Sequence, residues 1–188
     1  MRPFAPRTDR FTLTICLAVR VVRTEPEGDQ LARVLIIGYG SPLRGDDNIG
    51  CYVAHMLEQY YCEDQLVRVL GSHQLTPEMA QDVAASEFVL FLDAAAGSEP
   101  GEIMQIAVEP QPGPLTFAHY LQPDLLLAAT MELYGSAPRA ELLTIVGAAF
   151  ELGDRLSPEV MRRVPEFFER AQAVVEAHRC QLVGERLS

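Results

Sequence analysis

Residues 34–50 read VLIIGYGSPLRGDDNIG, an uninterrupted apolar run that leads into a glycine-rich turn. An apolar run without alternation is typical of a parallel strand covered on both faces. From Asp47 to Tyr61, apolar side chains recur at helical spacing, which predicts a helix directly after the turn. This strand, turn and helix form the first half of a βαβ unit and set the fold class.

The same alternation of strands and helices continues along the chain. Further strands are predicted at 66–71, 88–93, 103–108 and 142–150, and helices at 76–85, 124–134 and 157–180. Pro165 lies inside the last helix and is expected to bend it or to shift its start. The order is that of an α/β protein with a mostly parallel sheet of about five strands and helices on both faces.

The composition excludes several classes of partner. The chain has 188 residues, which fits one domain, with 15 basic residues, all Arg, against 26 acidic ones. Such an acidic surface repels phosphate backbones, so we expect neither nucleic acid nor anionic lipid as a partner. No window of 18 residues is apolar and uncharged throughout, which disfavours a membrane span.

The chain is expected to divide into an N-terminal extension, residues 1–32, and a folded domain, residues 33–188. The extension is predicted to be disordered or mis-started, because its apolar stretch FTLTICLAV is short for a signal peptide and no A-x-A site follows. The four cysteines form no C-x-x-C pair, which favours a reducing, cytoplasmic setting. We expect a monomer.

The glycine-rich turn differs from a phosphate cradle. A dinucleotide fingerprint needs three glycines, and the third position is Leu43. Asp46 and Asp47 stand where a phosphate would sit and would compete with it for the helix amides. We expect no nucleotide, although a nucleotide-binding Rossmann domain remains an alternative. One alternative is that the two carboxylates only cap the helix; our hypothesis is that Asp46 caps while Asp47 points into the crevice.

Other residues with useful chemistry are expected at the carboxyl ends of the parallel strands, where the crevice of such sheets lies. Asp93 ends an apolar strand, so it needs a cation, a proton or several donors, the alternative being the amides of residues 94–97. His73 and His119 lie in loops on this side, and a structural role is the simpler interpretation of each. Two carboxylates and an imidazole suit an octahedral divalent ion.

The remaining candidates carry little chemistry. His55 and His178 fall in predicted helices and are interpreted as surface residues. Cys51 is interpreted as a small buried hydrophobe, with a reacting thiol as the alternative. Ser41 is followed by proline and does not form a nucleophile elbow. Any hydrolysis would have to use carboxylates, a metal-bound water, or both.

Four separated motifs resemble one known family. They are VLIIGYGSPLRGDDNIG, FLDAAAGSEPGEI, AHYLQPDLL and LLTIVGAAFELGDRLSPEV, and in this order the chain resembles the [NiFe]-hydrogenase maturation proteases over about residues 33–180. The resemblance implies a three-layer α/β/α fold with a mixed, mainly parallel sheet. It implies an endopeptidase, aspartic-type or metal-assisted, that removes the C-terminal extension of the hydrogenase large-subunit precursor after nickel insertion.

The resemblance also implies roles for particular residues. The ligands of the nickel, which the substrate carries, fall on Asp47, Asp93 and His119, and the catalytic carboxylates on Asp47 and Asp93. Gly38, Gly40, Asp46 and His73 are expected to contact the substrate. Ser41 replaces the family's usual Asn, and the stretch GSHQLTPEM replaces a glycine-rich one after the second strand. A non-catalytic module that binds or delivers nickel with the same three residues is the alternative.

Overall fold

A computed structural model describes residues 34–111 and 121–185, with side chains through Cys180. Five strands form one sheet in the order β2-β1-β3-β5-β4. All neighbouring pairs are parallel except β4 with β5, which is antiparallel. The strands are β1 Val34–Tyr39, β2 Val67–Ser72, β3 Phe88–Ala95, β4 Ile103–Val108 and β5 Arg139–Val146. The predicted α/β class with a mixed, mainly parallel sheet is confirmed.

Helices cover both faces of the sheet. One apolar cluster joins alternate residues of β1, β3 and β5 to α1 and α4, and a second cluster joins the opposite faces of these strands to α2 and α3. The central strands are therefore buried on both sides, which is why their sequences are continuously apolar. The helices are α1 Ile49–Tyr60, α2 Ala80–Ala84, α3 Pro123–Tyr134 and α4 Pro158–Glu185.

Two strands differ from the prediction by two residues or more, β5 and β3. β5 covers Arg139–Val146, whereas the apolar pattern predicted residues 142–150. The strand ends early because the amides of Ala148 and Ala149 donate to the carboxylate of Asp46, which draws the chain out of the sheet. β3 continues to Ala95, two residues past the predicted end at Asp93, because its last residues pair with β5.

The last helix begins at Pro158 and continues through Pro165 as one element. Ser157 precedes it and its hydroxyl accepts a hydrogen bond from the amide of Val160, so Ser157 caps the N-terminus of the helix. The expected shift of the helix start by Pro165 is wrong. The predicted extension, residues 1–32, lies outside the described residues.

Close packing of α1 on the sheet depends on glycine. A Cβ added to Gly38 in β1 would overlap the carbonyl oxygen of Gly50 and the side chain of Ala54. A Cβ added to Gly50 would in turn overlap the carbonyl oxygens of Tyr39 and Leu92. Gly50 thus provides the close helix-to-strand approach for which a dinucleotide fingerprint uses its third glycine.

Among the described residues, none of the helices combines the length and the apolar composition that a membrane span requires.

Candidate active site

The strand order reverses direction between β1 and β3, since β2 lies on one side of β1 and β3 on the other. Ligands of open α/β sheets bind at such a point, outside the carboxyl ends of the strands. The turn after β1, the end of β3 and the loop after β5 all lie at this edge. They bring together Asp47, Asp93 and a residue that the sequence analysis did not single out, Tyr39.

Asp93 is a partly buried carboxylate with two hydrogen-bond donors. The amide of Ala94 donates to its Oδ1 at 2.8 Å, and the phenol of Tyr39 on the neighbouring strand also donates to the carboxylate. Burial raises the pKa of Asp93 to about 6, and the charge of Asp47 adds to the rise, while the two hydrogen bonds lower the pKa. The predicted need for donors is therefore met in part by a tyrosine.

Asp47 lies in the 3₁₀ turn Gly45–Asn48 that precedes α1. Its Oδ2 accepts the amide of Ser41 at 2.8 Å, so the carboxylate closes the glycine-rich turn across six residues. It also lies near enough to Asp93 for its charge to raise the pKa of that carboxyl. The structure thus brings the two predicted catalytic carboxylates to the same edge of the sheet.

Asp46 is fully buried and ties two loops together. Its Oδ2 accepts the amides of Ala148 at 2.7 Å and Ala149 at 2.9 Å, and its Oδ1 accepts the amide of Ser157 at 2.6 Å. Burial opposes its charge, yet these hydrogen bonds outweigh burial and hold the pKa of Asp46 below its ordinary value. Asp46 does not cap α1 as expected and instead joins two loops. Its predicted contact with substrate stays a prediction.

Gly38 and Gly40 are also buried and have a packing role, while their predicted contact with substrate stays a prediction. Gly40 has a φ of 135°, and a Cβ there would overlap the carbonyl oxygen of Asp47. The backbone of the turn therefore folds directly against the 3₁₀ turn that carries Asp47. Both glycines thus allow the close backbone packing that positions this carboxylate.

The thiol of Cys51 points at backbone carbonyls. It donates to Ser72 O at 2.9 Å and lies 3.5 Å from Gly40 O. Burial raises the pKa of the thiol, and the charges of Asp47 and Asp93 add to the rise. A neutral thiol is a poor nucleophile, so the interpretation of Cys51 as a structural residue fits this geometry.

The three histidines in the described part of the chain lie on different elements. His73 is exposed directly after β2, at the candidate edge. His55 is exposed and contacts Glu58, as expected for a surface residue, whereas His178 stacks on Phe88 with ring centroids 3.5 Å apart and is largely buried. The expectation of a surface position for His178 is therefore wrong.

His119 lies outside the described residues. Within residues 34–111 and 121–185, no group of three or more His, Cys, Asp or Glu side chains is placed to hold a metal ion.

Several solved structures share this fold. The hydrogenase maturating endopeptidase HybD from E. coli matches with a TM-score of 0.61 and 23% identity over 78% of this chain and 93% of its own. The hydrogenase 2 maturation peptidase from a Thaumarchaeota archaeon matches with a TM-score of 0.58 and 25% identity over 77% and 98% of the two chains. The [NiFe] hydrogenase maturation protease HycI from Thermococcus kodakarensis matches with a TM-score of 0.59 and 25% identity over 77% and 93%.

The chain has the fold of the hydrogenase maturation endopeptidases. The resemblance predicted from the four sequence motifs is thereby confirmed. No protein-family model matches the sequence, and no curated protein matches it. The likeness to the maturation endopeptidases is therefore one of structure, reached at low sequence identity.

Within this maturation-endopeptidase fold, sequence reasoning missed Tyr39 and Asp124. Tyr39 is the middle residue of Gly38-Tyr39-Gly40, and its pKa is raised by burial and by the charges of Asp93 and Asp124. Asp124 lies in the first turn of α3, near enough to Tyr39 for its charge to raise the pKa of the phenol. A polar side chain at the last position of a buried strand was the available signal for Tyr39.

Proposed function

We propose that this protein is an endopeptidase that removes the C-terminal extension of a [NiFe]-hydrogenase large-subunit precursor after nickel has been inserted. The observation that carries the proposal is the convergence of Asp47 and Asp93 at the switch point of a sheet shared with named maturation endopeptidases. Two carboxylates at one edge supply hard oxygen ligands for a divalent ion and candidate groups for activating water. We place the reaction in the cytoplasm.

In this proposal the nickel belongs to the substrate, and Asp47, Asp93 and His119 read it. Oδ2 of Asp47 is occupied by the Ser41 amide, which leaves its second oxygen for the ion. Leu121, two residues after His119 in the chain, forms an isolated antiparallel bridge with Leu75. Leu75 lies in the loop after β2, a strand that ends at the candidate edge. Precursor without nickel would offer these side chains nothing to hold, so the metal acts as a checkpoint through differential affinity.

The chemical step falls to the two carboxylates or to the metal. The raised pKa of Asp93 brings its protonation near the neutral range, where a carboxyl group can exchange protons with a reacting water. Asp47 is held in place by the hydrogen bond from the amide of Ser41 and is the second carboxylate of the pair. Tyr39 and Ala94 orient Asp93 through hydrogen bonds.

The test mixes the purified protein with nickel-loaded and nickel-free large-subunit precursor and determines product masses by mass spectrometry. We expect one cut, in the nickel-loaded precursor alone. Asp47→Asn is expected to abolish the cut and to leave the fold intact, whereas Asp154→Asn, at an exposed loop carboxylate, should cleave normally. Intact nickel-loaded precursor together with tight nickel binding by the protein would instead favour a nickel-delivery module.

A further inference from the structure

The edge strand β4 is the strongest unassigned surface. It pairs with β5 on one side, and in the described part of the chain no strand pairs with its other side. Residues 104–107 are all exposed, and the strand contains neither proline nor lysine. Native proteins usually protect such edges, and an unprotected edge is a template for another strand.

The ladder between β4 and β5 determines which backbone groups are free. The amide of Val146 donates to the carbonyl of Glu102 at 2.8 Å, so the backbone of Glu102 faces β5. The direction of the backbone amide and carbonyl alternates from residue to residue along an antiparallel strand. The pairing of β4 with β5 runs without a bulge from Ile103 to Val108. The outward-facing amides and carbonyls therefore belong to Ile103, Gln105 and Ala107.

The side chains of the edge add an apolar surface that leads toward the candidate site. Met104 pairs with Thr144, and Thr144 pairs with Asp93, so the three residues form one row on the same face of the sheet. Met104 is 38% exposed and Ile106, in the next row, is 57% exposed. A strand added to β4 would pack its side chains beside these two and remain continuous with the row of Asp93.

Charge identifies the occupant. Exposed Glu102 and Glu109 lie at the two ends of the strand, and the sequence between them contains no basic residue. In an antiparallel pair of two β4 strands, Glu102 of one copy would lie near Glu109 of the other, and like charges in such positions are destabilising. A second copy of this chain is therefore disfavoured, and a segment with apolar and basic side chains is favoured.

We propose that β4 binds an extended segment of the protein substrate by strand addition, with unpaired backbone groups of the segment bonding to those of Gln105 and Ala107. The inference rests on the proposed function. The added strand would lie three strand spacings, about 14 Å, from Asp93, a span that four or five extended residues cover. This edge therefore adds to the affinity for the precursor and leaves the bond-breaking step to the carboxylates.

Ala107→Pro removes one outward amide, and proline is tolerated at an edge position whose N–H faces away from the sheet. Ala107→Ser alters the same side chain and keeps the amide, so the ratio of their dissociation constants isolates the hydrogen bond. Both are measured by calorimetry against nickel-loaded large-subunit precursor, in an Asp93→Asn background that prevents cleavage. We expect at least tenfold weaker binding for the proline variant than for the serine variant; equal binding overturns the proposal.

Hydrogen exchange of the chain without the proline substitution provides a second measurement. The amides of Gln105 and Ala107 should become protected when the precursor binds, and unchanged exchange overturns the proposal even where Ala107→Pro fails to fold. A dimer of the free chain that Ala107→Pro converts to a monomer in sedimentation would also overturn it, because a second copy would then occupy the edge.

The cleavage assay on the wild-type chain distinguishes a failure of this inference from a failure of the proposed function. Cleavage with no difference between the proline and serine variants removes the docking edge alone. A tenfold difference in binding without wild-type cleavage removes the protease assignment alone.

Discussion

The phenol of Tyr39 donates a hydrogen bond to the carboxylate of Asp93 from the neighbouring parallel strand. Tyr39 and Asp93 directly follow Gly38 and Leu92, the last residues that pair β1 with β3. The sheet opens to the crevice at this point. The bond stabilises the charged form of a carboxylate that burial disfavours. A tyrosine between two glycines thus partly offsets the effect of burial on a candidate catalytic group.

Loss of that donor should raise the pKa of Asp93. In Tyr39→Phe we expect the pKa to move above the value of about 6, because burial and the Asp47 charge then act with less opposition. Carbon-13 NMR titration of the metal-free protein measures it. Tyr52→Phe, at an exposed tyrosine of α1, is the matched control and should leave the titration in place. An unchanged midpoint in Tyr39→Phe would show that the phenol does not influence the carboxylate.

Removal of the Asp93 charge should stabilise the protein while it abolishes processing. The folded-state pKa of about 6 lies above the ordinary aspartate value of 3.8, so ionised Asp93 costs stability as the pH rises through 6. We expect Asp93→Asn to raise the free energy of unfolding at pH 8 by about 2 kcal/mol, and to raise it little at pH 4. Urea denaturation at the two pH values measures the difference.

The exposed Asp154→Asn serves as the control for that experiment, since its side chain is 83% exposed and carries no comparable burial cost. Equal stability of Asp93→Asn and wild type at pH 8 would contradict the proposed burial cost.

Loss of the Asp46 carboxylate should destabilise the fold. Asp46→Ala leaves the amides of Ala148, Ala149 and Ser157 without their acceptor, and we expect a loss of about 3 kcal/mol or more. The folded-state pKa of Asp46 is lowered, so its contribution is present above the ordinary aspartate value of 3.8 and is lost as the pH falls further. The gap between wild type and variant in urea should therefore narrow below about pH 4. A gap independent of pH would argue that the ionised form has no special role.

The contact between Gly38 and Gly50 should tolerate no side chain. In Gly38→Ala the new Cβ would overlap backbone of α1, which cannot move without displacing the turn of Asp47, and we expect a loss of about 3 kcal/mol. Gly71→Ala is the matched control, because nothing lies within 4 Å of the added Cβ. Thermal unfolding of the two variants measures the contrast, and similar melting temperatures would refute the packing argument.

Much of the fold followed from local patterns. The apolar runs at β1 and β3 are long enough and free of alternation, so burial on both faces was readable from them. The end of β5 was not readable, since Ala148 and Ala149 continue an apolar run and leave the sheet because Asp46, about a hundred residues earlier, accepts their amides. An acceptor at that sequence separation leaves no trace in the local periodicity of the strand.

The sequence by itself determined the α/β class, the edge at which a site would lie, and the candidates Asp47 and Asp93, because strand and helix periods and the direction of parallel strands are local properties. Only the tertiary structure decided that Asp46 is a buried tie between two loops and that Tyr39 is the donor to Asp93. Both depend on burial and on contacts between distant segments, and the pKa of a carboxylate is set by what surrounds it in space and not by its neighbours along the chain.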